Sequence, residues 1–295
     1  MLPPYWSDPI LIFAIPVFIV TFLLEAVFIT RTLKKEYDTK DAAASVSMGI
    51  GSAFINLGIK VPVFYTFLWI YEHRLFTLPP TWWAFLLLFL ADDFSFYLHH
   101  RACHQVRLFW AAHVNHHSSR QYNLAVALRQ SWGELFHKYI WWMWIPFVGF
   151  HPVWMLTMMS ISLVYQYTLH TELVNRLGPL EWLFNTPSHH RVHHAKNVRY
   201  LDKNHAGILI IWDRLFGTFT PEIEEDEVIY GITQDIHTFN PVEIATHEYK
   251  ALWHDVKNAP GILNKLKYTF MPPGWSHDGK TKTAKQLQRE AGLCS

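Results

Sequence analysis

The segment from Ile10 to Thr30 is apolar except for Glu25, and such a run leaves a chain few ways to fold. At ~1.5 Å per residue, about 20 helical residues cross a hydrocarbon core ~30 Å thick, and a helix satisfies its own backbone there. The run lacks a basic start and a small-residue cleavage site, so a signal peptide is not expected. Ala42–Tyr71 is a second long apolar stretch, with Asn56, Lys60 and Pro62 as points of tilt, kink or break. Gly49-Ile50-Gly51 lies within it and lacks the third glycine of a dinucleotide loop; it reads as helix packing, with Gly49, Ala53 and Asn56 as a small-residue face. Thr81–Leu98 is a third segment, and 139–169 reads as a hairpin turning at Gly149–Pro152 with arms short for a full span.

The expected fold is therefore all-α: an integral membrane helical bundle of four to five membrane segments with a cytoplasmic helical cap. Residues 1–98 would supply N-terminal transmembrane helices, 99–219 a catalytic region that includes the 139–169 hairpin, and 220–295 a cytoplasmic C-terminal region. Composition agrees. Charged residues are 17% of the chain, below the roughly 25% of soluble domains, while aromatics reach 16%. An aromatic-rich soluble enzyme is the alternative on composition alone. Net charge is +1 and no basic block marks a nucleic-acid surface. Cys103 and Cys294 cannot form a disulfide framework and lack the spacing of a zinc or iron–sulfur site.

Orientation follows from the loop after the first segment. Arg31, Lys34, Lys35 and Lys40 place it in the cytoplasm by the positive-inside rule. Two crossings later the chain is again cytoplasmic at His99, and the hairpin leaves from and returns to that side. A multi-pass protein with its active site on the cytoplasmic side follows, in the inner membrane of a bacterium or the endoplasmic reticulum of a eukaryote.

Histidine is the chemical outlier. The chain has 19, of which 14 fall between His99 and His205. HHRACH (99–104) sets His100 and His104 four apart; HVNHH gives His113, His116 and His117; HHRVHH gives His190, His193 and His194. Positions i, i+3 and i+4 share a helix face, so each cluster can aim two or three imidazoles at one point. Eight are too many for one tetrahedral zinc and suit two metals with open positions. His170, at the end of the hairpin, is a ninth candidate, and Gln166 one turn earlier can reach the site directly or through water. His99, His189 and His205 are further ligands or supporting donors. Asp93, two turns before His100 inside an apolar helix, suits a carboxylate that orients a ligand imidazole, against the plainer reading of a salt bridge to Arg101 or Arg129. Imidazole suits iron, zinc and copper alike, so the ligand set does not choose the metal.

The stretch from Asp93 to His104 resembles the fatty acid hydroxylase superfamily, which includes the sterol desaturases. So do HHSSRQYNLAVALRQS from His116, LHTELVNRLGPLEWLFNTPSHHRVHHAKN from Leu169 and KNHAGILIIWDRLFGTF from Lys203. The Ser118-Ser119, Tyr122–Leu124 and Leu128–Gln130 elements are most similar to bacterial members of the alkylglycerol monooxygenase type. The likeness runs from about Asp92 to Phe219. Phe96 and His205 stand where the family often has tyrosine. The resemblance implies a non-haem di-iron centre, O2 as oxidant, a membrane lipid as substrate, and electrons from an external reductase, ferredoxin or pterin, since the chain shows no flavin, haem or iron–sulfur motif. Hydroxylation and desaturation both begin by abstracting hydrogen and are not separable here. A membrane zinc hydrolase would carry a glutamate base as in HExxH, a haem electron carrier would space single histidines across helices, and a scaffold would not need the clusters.

Overall fold

A computed structural model describes residues 9–293; residues 1–8, Cys294 and Ser295 lie outside the description. The described residues form helices and turns and no strand, with two isolated bridges, Phe184 to Leu209 and Ala195 to Tyr230. Helix α1 (Pro9–Val27) runs on through a π-helical turn, Phe28–Thr32. The Asp38 carboxylate accepts from the Lys40 and Asp41 amides and starts α2 (Thr39–Glu72). Pro62 neither ends nor splits α2: it removes one rung of the ladder, and the helix continues for ten residues beyond it.

Helices α3 (Trp82–Gln105) and α4 (Arg107–His117) meet at an extended Val106, so the first two histidine boxes lie on adjoining helices. The short α5 (Leu124–Ala127) begins at Asn123, whose side chain accepts from the Ala125 amide. Two 3-10 turns, Glu134–Phe136 and Lys138–Trp142, precede α6 (Trp144–Val148) and α7 (Pro152–Leu169). The 139–169 segment is thus a hairpin with one long arm only. Its short arm is pinned to α3 by two indoles: Trp142 donates to Asp92 at 2.7 Å and Trp144 to Ser95 at 2.9 Å. Trp142 is 1% exposed, a core residue rather than an interfacial anchor. A 3-10 turn at Gly178–Trp182 leads to α8 (Pro187–His193), which carries the third box; a further turn at Val198–Tyr200 and α9 (Ile211–Leu215) follow. The C-terminal region supplies α10 (Pro241–Asn258), α11 (Gly261–Phe270) and α12 (Ala284–Glu290).

Residues Ile10–Thr32 and Thr39–Glu72 are long and apolar enough to cross a membrane. Phe13 and Leu24 on α1 and Phe54 and Trp69 on α2 are exposed, an apolar collar suited to lipid contact. Inside the collar, Phe67, Leu88, Trp142, Ile145 and Met155 form a core between α2, α3, α6 and α7. Gly49 and Gly51 do serve packing. A Cβ at Gly49 would lie 2.7 Å from the Leu128 carbonyl oxygen, and one at Gly51 2.6 Å from the Trp132 ring. Ala53 faces outward, whereas Asn56 accepts from the Tyr139 hydroxyl at 3.0 Å.

Two polar links tie the ends of α1 and α2 to the histidine-bearing part. Glu25, the lone charge of α1, accepts from the Leu124 amide and the Thr171 hydroxyl. The loop after α1 is fixed by Gln121, which accepts from the Asp38 amide and donates to the Glu36 carbonyl. Residues 220–295 are not detached either: α10 lies on α4, where Arg107 pairs with Glu248 at 2.8 Å and with Asp255 at 2.7 Å.

Candidate metal centre

The boxed histidines come from α3, α4 and α8, and each helix delivers its imidazoles at helical spacing. His100, His104, His113, His117 and His193 bring ring nitrogens within 4.8 Å of one another; His116, His170, His190 and His194 do the same beside them. The HxxHH boxes divide in opposite senses. In the second box, i and i+4 (His113, His117) join the five-histidine group while i+3 (His116) joins the four. In the third box, His190 and His194 join the four while His193 joins the five. His117 and His194 stack at 4.4 Å between ring centres, so the groups share a wall.

Within each group the Nε2 atoms converge. His113 Nε2 is 3.0 Å from that of His100 and 3.2 Å from that of His117; His170 Nε2 is 3.1 Å from that of His116 and 3.2 Å from that of His190. One ring nitrogen cannot satisfy two neighbours of its own kind through a single proton. The Nε2 atoms of His104, His193 and His194 are buried with no hydrogen-bond partner at all. Such a cluster fits cations placed between the rings, and the donor set fits iron, zinc or copper. Burial, and then the neighbouring imidazoles, push His117, His193 and His194 well below the usual histidine range, which keeps them in the neutral form that binds metal.

The opposite ring nitrogens set the aim. Nδ1–H of His100 donates to the His205 carbonyl at 2.8 Å, that of His193 to the Lys203 carbonyl at 2.9 Å, that of His170 to the Gln166 carbonyl at 2.9 Å and that of His116 to the Arg129 carbonyl at 3.3 Å. His113 Nδ1 faces Glu134 at 3.3 Å, and His104 Nδ1 faces Asp202 at 3.4 Å. These contacts leave Nε2 unprotonated and directed inward.

The supporting residues expected from the sequence take other places. Asp93 touches no ligand imidazole and neither arginine. It accepts from the Ile208 and Leu209 amides (2.7 and 3.0 Å) and the Trp212 indole (2.9 Å). Asp213 holds the same loop from its other end through the His205 and Ala206 amides, both at 2.8 Å. Between them the His205 carbonyl is fixed on His100, so Asp93 acts at one remove. Arg101 donates to the Tyr97 hydroxyl, and buried Arg129 pairs with Asp41 at 2.9 Å. The Gln166 side chain donates to Ser162, leaving only its carbonyl for His170. His189 points towards Phe219 and stands 3.9 Å from Glu181, away from both groups. His205 lies beside the five-histidine group, 5.1 Å from the His104 ring. His99 turns away towards Cys103 and His137. Phe96 lies against His100 at 5.2 Å, whereas Phe94 packs on Trp212 and Phe216.

Glu134, Asp202, Asp213 and Arg129 are the contributors that sequence reasoning did not single out for these roles. Glu134 alone left a trace, as an acidic residue within the aromatic stretch Trp132–Trp144. A cavity of about 140 Å3 opens on the five-histidine group past Trp110, Lys196 and Asp202, and is roofed by Pro273, Ala284 and Leu287 of the C-terminal region.

Residues 85–218 match the fatty acid hydroxylase family. Human alkylglycerol monooxygenase is 41% identical over 269 residues, covering 89% of this chain and 59% of that protein. The Xenopus tropicalis alkylglycerol monooxygenase is also 41% identical, over 88% of this chain and 58% of its own length. The ornithine lipid hydroxylase OlsE of Rhizobium tropici is 28% identical over 48% of this chain and 43% of its own. The chain belongs to the fatty acid hydroxylase superfamily. The chain spans a little under 60% of the length of the alkylglycerol monooxygenases it matches. No solved structure is significantly similar. All nine grouped histidines lie inside the fatty acid hydroxylase match, as do Glu134, Asp202 and Asp213. The two apolar helices and the membership of this family together mark a membrane protein.

Proposed function

We propose that this chain is a membrane-bound lipid hydroxylase that uses O2 and two iron ions. The observation that carries the reading is the division of nine imidazoles, all but His116 buried, into two adjoining groups with converging Nε2 atoms. His100, His104, His113, His117 and His193 would hold one iron; His116, His170, His190 and His194 the other. Bound iron supplies the O2 activation and hydrogen abstraction that no side chain performs on an unactivated methylene. In the overall reaction one oxygen atom of O2 would enter the C–H bond and the other would leave as water, consuming two protons and two electrons, the electrons from an external reductase, ferredoxin or reduced pterin.

The residues of the chain contribute position and dryness. The carbonyls of His205, Lys203, Gln166 and Arg129 fix the imidazole tautomers, and Phe96 gives the centre an apolar wall on the His100 side. An apolar collar next to a buried polar centre suits a substrate that keeps its tail in lipid and offers one carbon to the metals. The relatives are named for activity on alkylglycerols and ornithine lipids, which favours a glycerol-ether or acyl lipid, with sterols as the third class. Nε2 separations near 3 Å leave no slot for a porphyrin, which argues against a haem carrier.

A multi-pass topology with the centre in the cytoplasm is part of the proposal. It is supported by the basic loop after α1 and by the bonds from Gln121 that hold this loop beside the second box. The test uses detergent-purified, iron-loaded protein with reductant and isotopically labelled O2, offered alkylglycerol, acyl and sterol lipids beside short water-soluble analogues. Label appearing in a lipid product is expected. Equal oxidation of the short analogues, or activity that survives complete iron removal, would overturn the proposal.

A further inference from the structure

His99 sits next to a proposed iron ligand, yet its ring points to the other side of α3. There it meets Cys103, one turn along the same helix, and His137, from the junction of the two 3-10 turns. Ring nitrogens and sulfur all lie within 4.8 Å of one another. His99 Nε2 is 3.5 Å from Cys103 Sγ and 3.5 Å from Glu134 Oε1. Both ring nitrogens of His137 are screened from solvent and bonded to nothing. His99 and Cys103 are each 1% exposed or less.

We propose that His99, Cys103 and His137 form a third metal site that takes zinc, with the Glu134 carboxylate, 3.5 Å from His99 Nε2, as the nearest charge beside it. Zinc bonds of ~2.0–2.2 Å to nitrogen or oxygen and ~2.3 Å to sulfur set neighbouring ligands of a tetrahedron roughly 3.3–3.6 Å apart. Both distances from His99 Nε2 fall in that range. Charge also favours a cation here: a thiolate ligand and the adjacent Glu134 carboxylate together offset a divalent ion, while the two imidazoles are neutral. A thiolate among neutral groups would have no such compensation. Thiolate with imidazole selects zinc over calcium or magnesium. Aromatic rings line the site, with Phe109 stacked on His137 at 4.6 Å and Trp142 at 5.8 Å from His99. The sequence shows no cysteine pair because one thiol suffices when His99 of the same helix and His137 of another element supply the other ligands.

The position suggests what the zinc does. Glu134 faces His99 with one oxygen and His113 Nδ1 with the other, so one carboxylate lies between the zinc site and a ligand of the five-histidine group. Zinc would lock the 134–137 turn to α3 and hold that carboxylate in place. This site stands independently of the di-iron reading, because the larger centre contributes none of its ligands.

The experiment is metal analysis and cobalt substitution of the full-length protein in detergent. About one zinc per chain is expected beside the metals of the histidine groups, and Cys103→Ser and His137→Gln should each lose it. Cobalt added to metal-free protein should give a thiolate-to-cobalt charge-transfer band that Cys103→Ser abolishes. A wild-type protein without that band overturns the proposal with no variant required. Persistence of the band in Cys103→Ser overturns it equally. Absence of iron from the larger centre would leave the cobalt–thiolate result unchanged, so the two readings fail separately.

Discussion

The Nε2 atoms of His116 and His170 stand 3.1 Å apart although 54 residues separate the two in sequence. One is the fourth residue of the second box; the other caps the C-terminus of α7. This pair brings the long arm of the 139–169 hairpin into the four-histidine group, so α7 contributes to that group as well as to the packing of the helices.

His170→Ala should therefore behave as a ligand deletion. We expect loss of one metal ion per chain, at least a ~100-fold fall in affinity at that position, and no detectable turnover. His151, which caps the start of the same helix far from the groups, provides the control: His151→Asn should keep full metal content. Full activity in His170→Ala would remove α7 from the centre.

The spacing of HxxxH and HxxHH made eight of the nine histidines legible, because a helix turns that spacing into a shared face, and the ninth, His170, was marked only by its place at the end of the hairpin. The carboxylates were not legible. Glu134, Asp202 and Asp213 are single acidic residues whose partners lie at the far ends of loops, and local spacing carries no trace of such pairings. Asp93 illustrates the same limit from the other side. Its place in an apolar helix pointed to a carboxylate that orients a ligand imidazole, but its partners are two backbone amides 115 and 116 residues away and the Trp212 indole. The apolar runs gave α1 and α2 directly, whereas the short arm of the hairpin, built from 3-10 turns held by indole hydrogen bonds, has no periodicity to read.

Arg129 is 1% exposed, and its guanidinium pairs with Asp41 while also donating to the Asn115 carbonyl and Ser118. Asp41→Ala would strand that charge in the interior. Breaking one side of a buried pair costs about 3–5 kcal/mol, so a marked drop in the unfolding midpoint is expected in detergent. Because Arg129 also offers its carbonyl to His116, metal should dissociate faster from this variant. An unchanged midpoint would mean that solvent reaches the pair.

Two glycines of α2 should respond in opposite ways. Gly49→Ala drives a methyl to 2.7 Å from the Leu128 carbonyl oxygen, which is backbone and cannot swing aside. Overpacking of that kind costs about 1–3 kcal/mol. A Cβ at Gly58 meets nothing within 4 Å, so Gly58→Ala should be neutral or stabilising by up to ~1 kcal/mol through helix propensity. Equal effects in a thermal-shift comparison would contradict the packing of α2 on the segment after α5.

The metal-free protein should lose stability on acidification. Burial holds His117, His190, His193 and His194 well below 6.5 in the folded state. Below about pH 6.5 the unfolded chain binds protons that the folded one refuses, so stability rises with pH there and levels off above it. Each such imidazole contributes a slope of about 1.4 kcal/mol per pH unit. The unfolding midpoint should be flat from pH 8 to about 7 and fall steeply towards about pH 5.5. A flat profile through that lower window would mean that the histidines are hydrated, not buried.

Sidedness can be tested at two points that the structure ties together. Asp38 and Gln121 are hydrogen-bonded at 2.9 Å, so Lys35 and Arg120 must lie on one side of the membrane whatever the number of crossings. Cysteines at these positions, in a background where Cys294 is replaced by serine and Cys103 stays buried, give two reporters for a membrane-impermeant thiol reagent. Both should be shielded in intact cells and labelled after the cells are opened. Disagreement between the two reporters would contradict the contact between the basic loop and the second box. Agreement on labelling from outside would keep the fold but reverse the orientation drawn from Arg31, Lys34, Lys35 and Lys40, and electrons would then have to reach the centre from the other face.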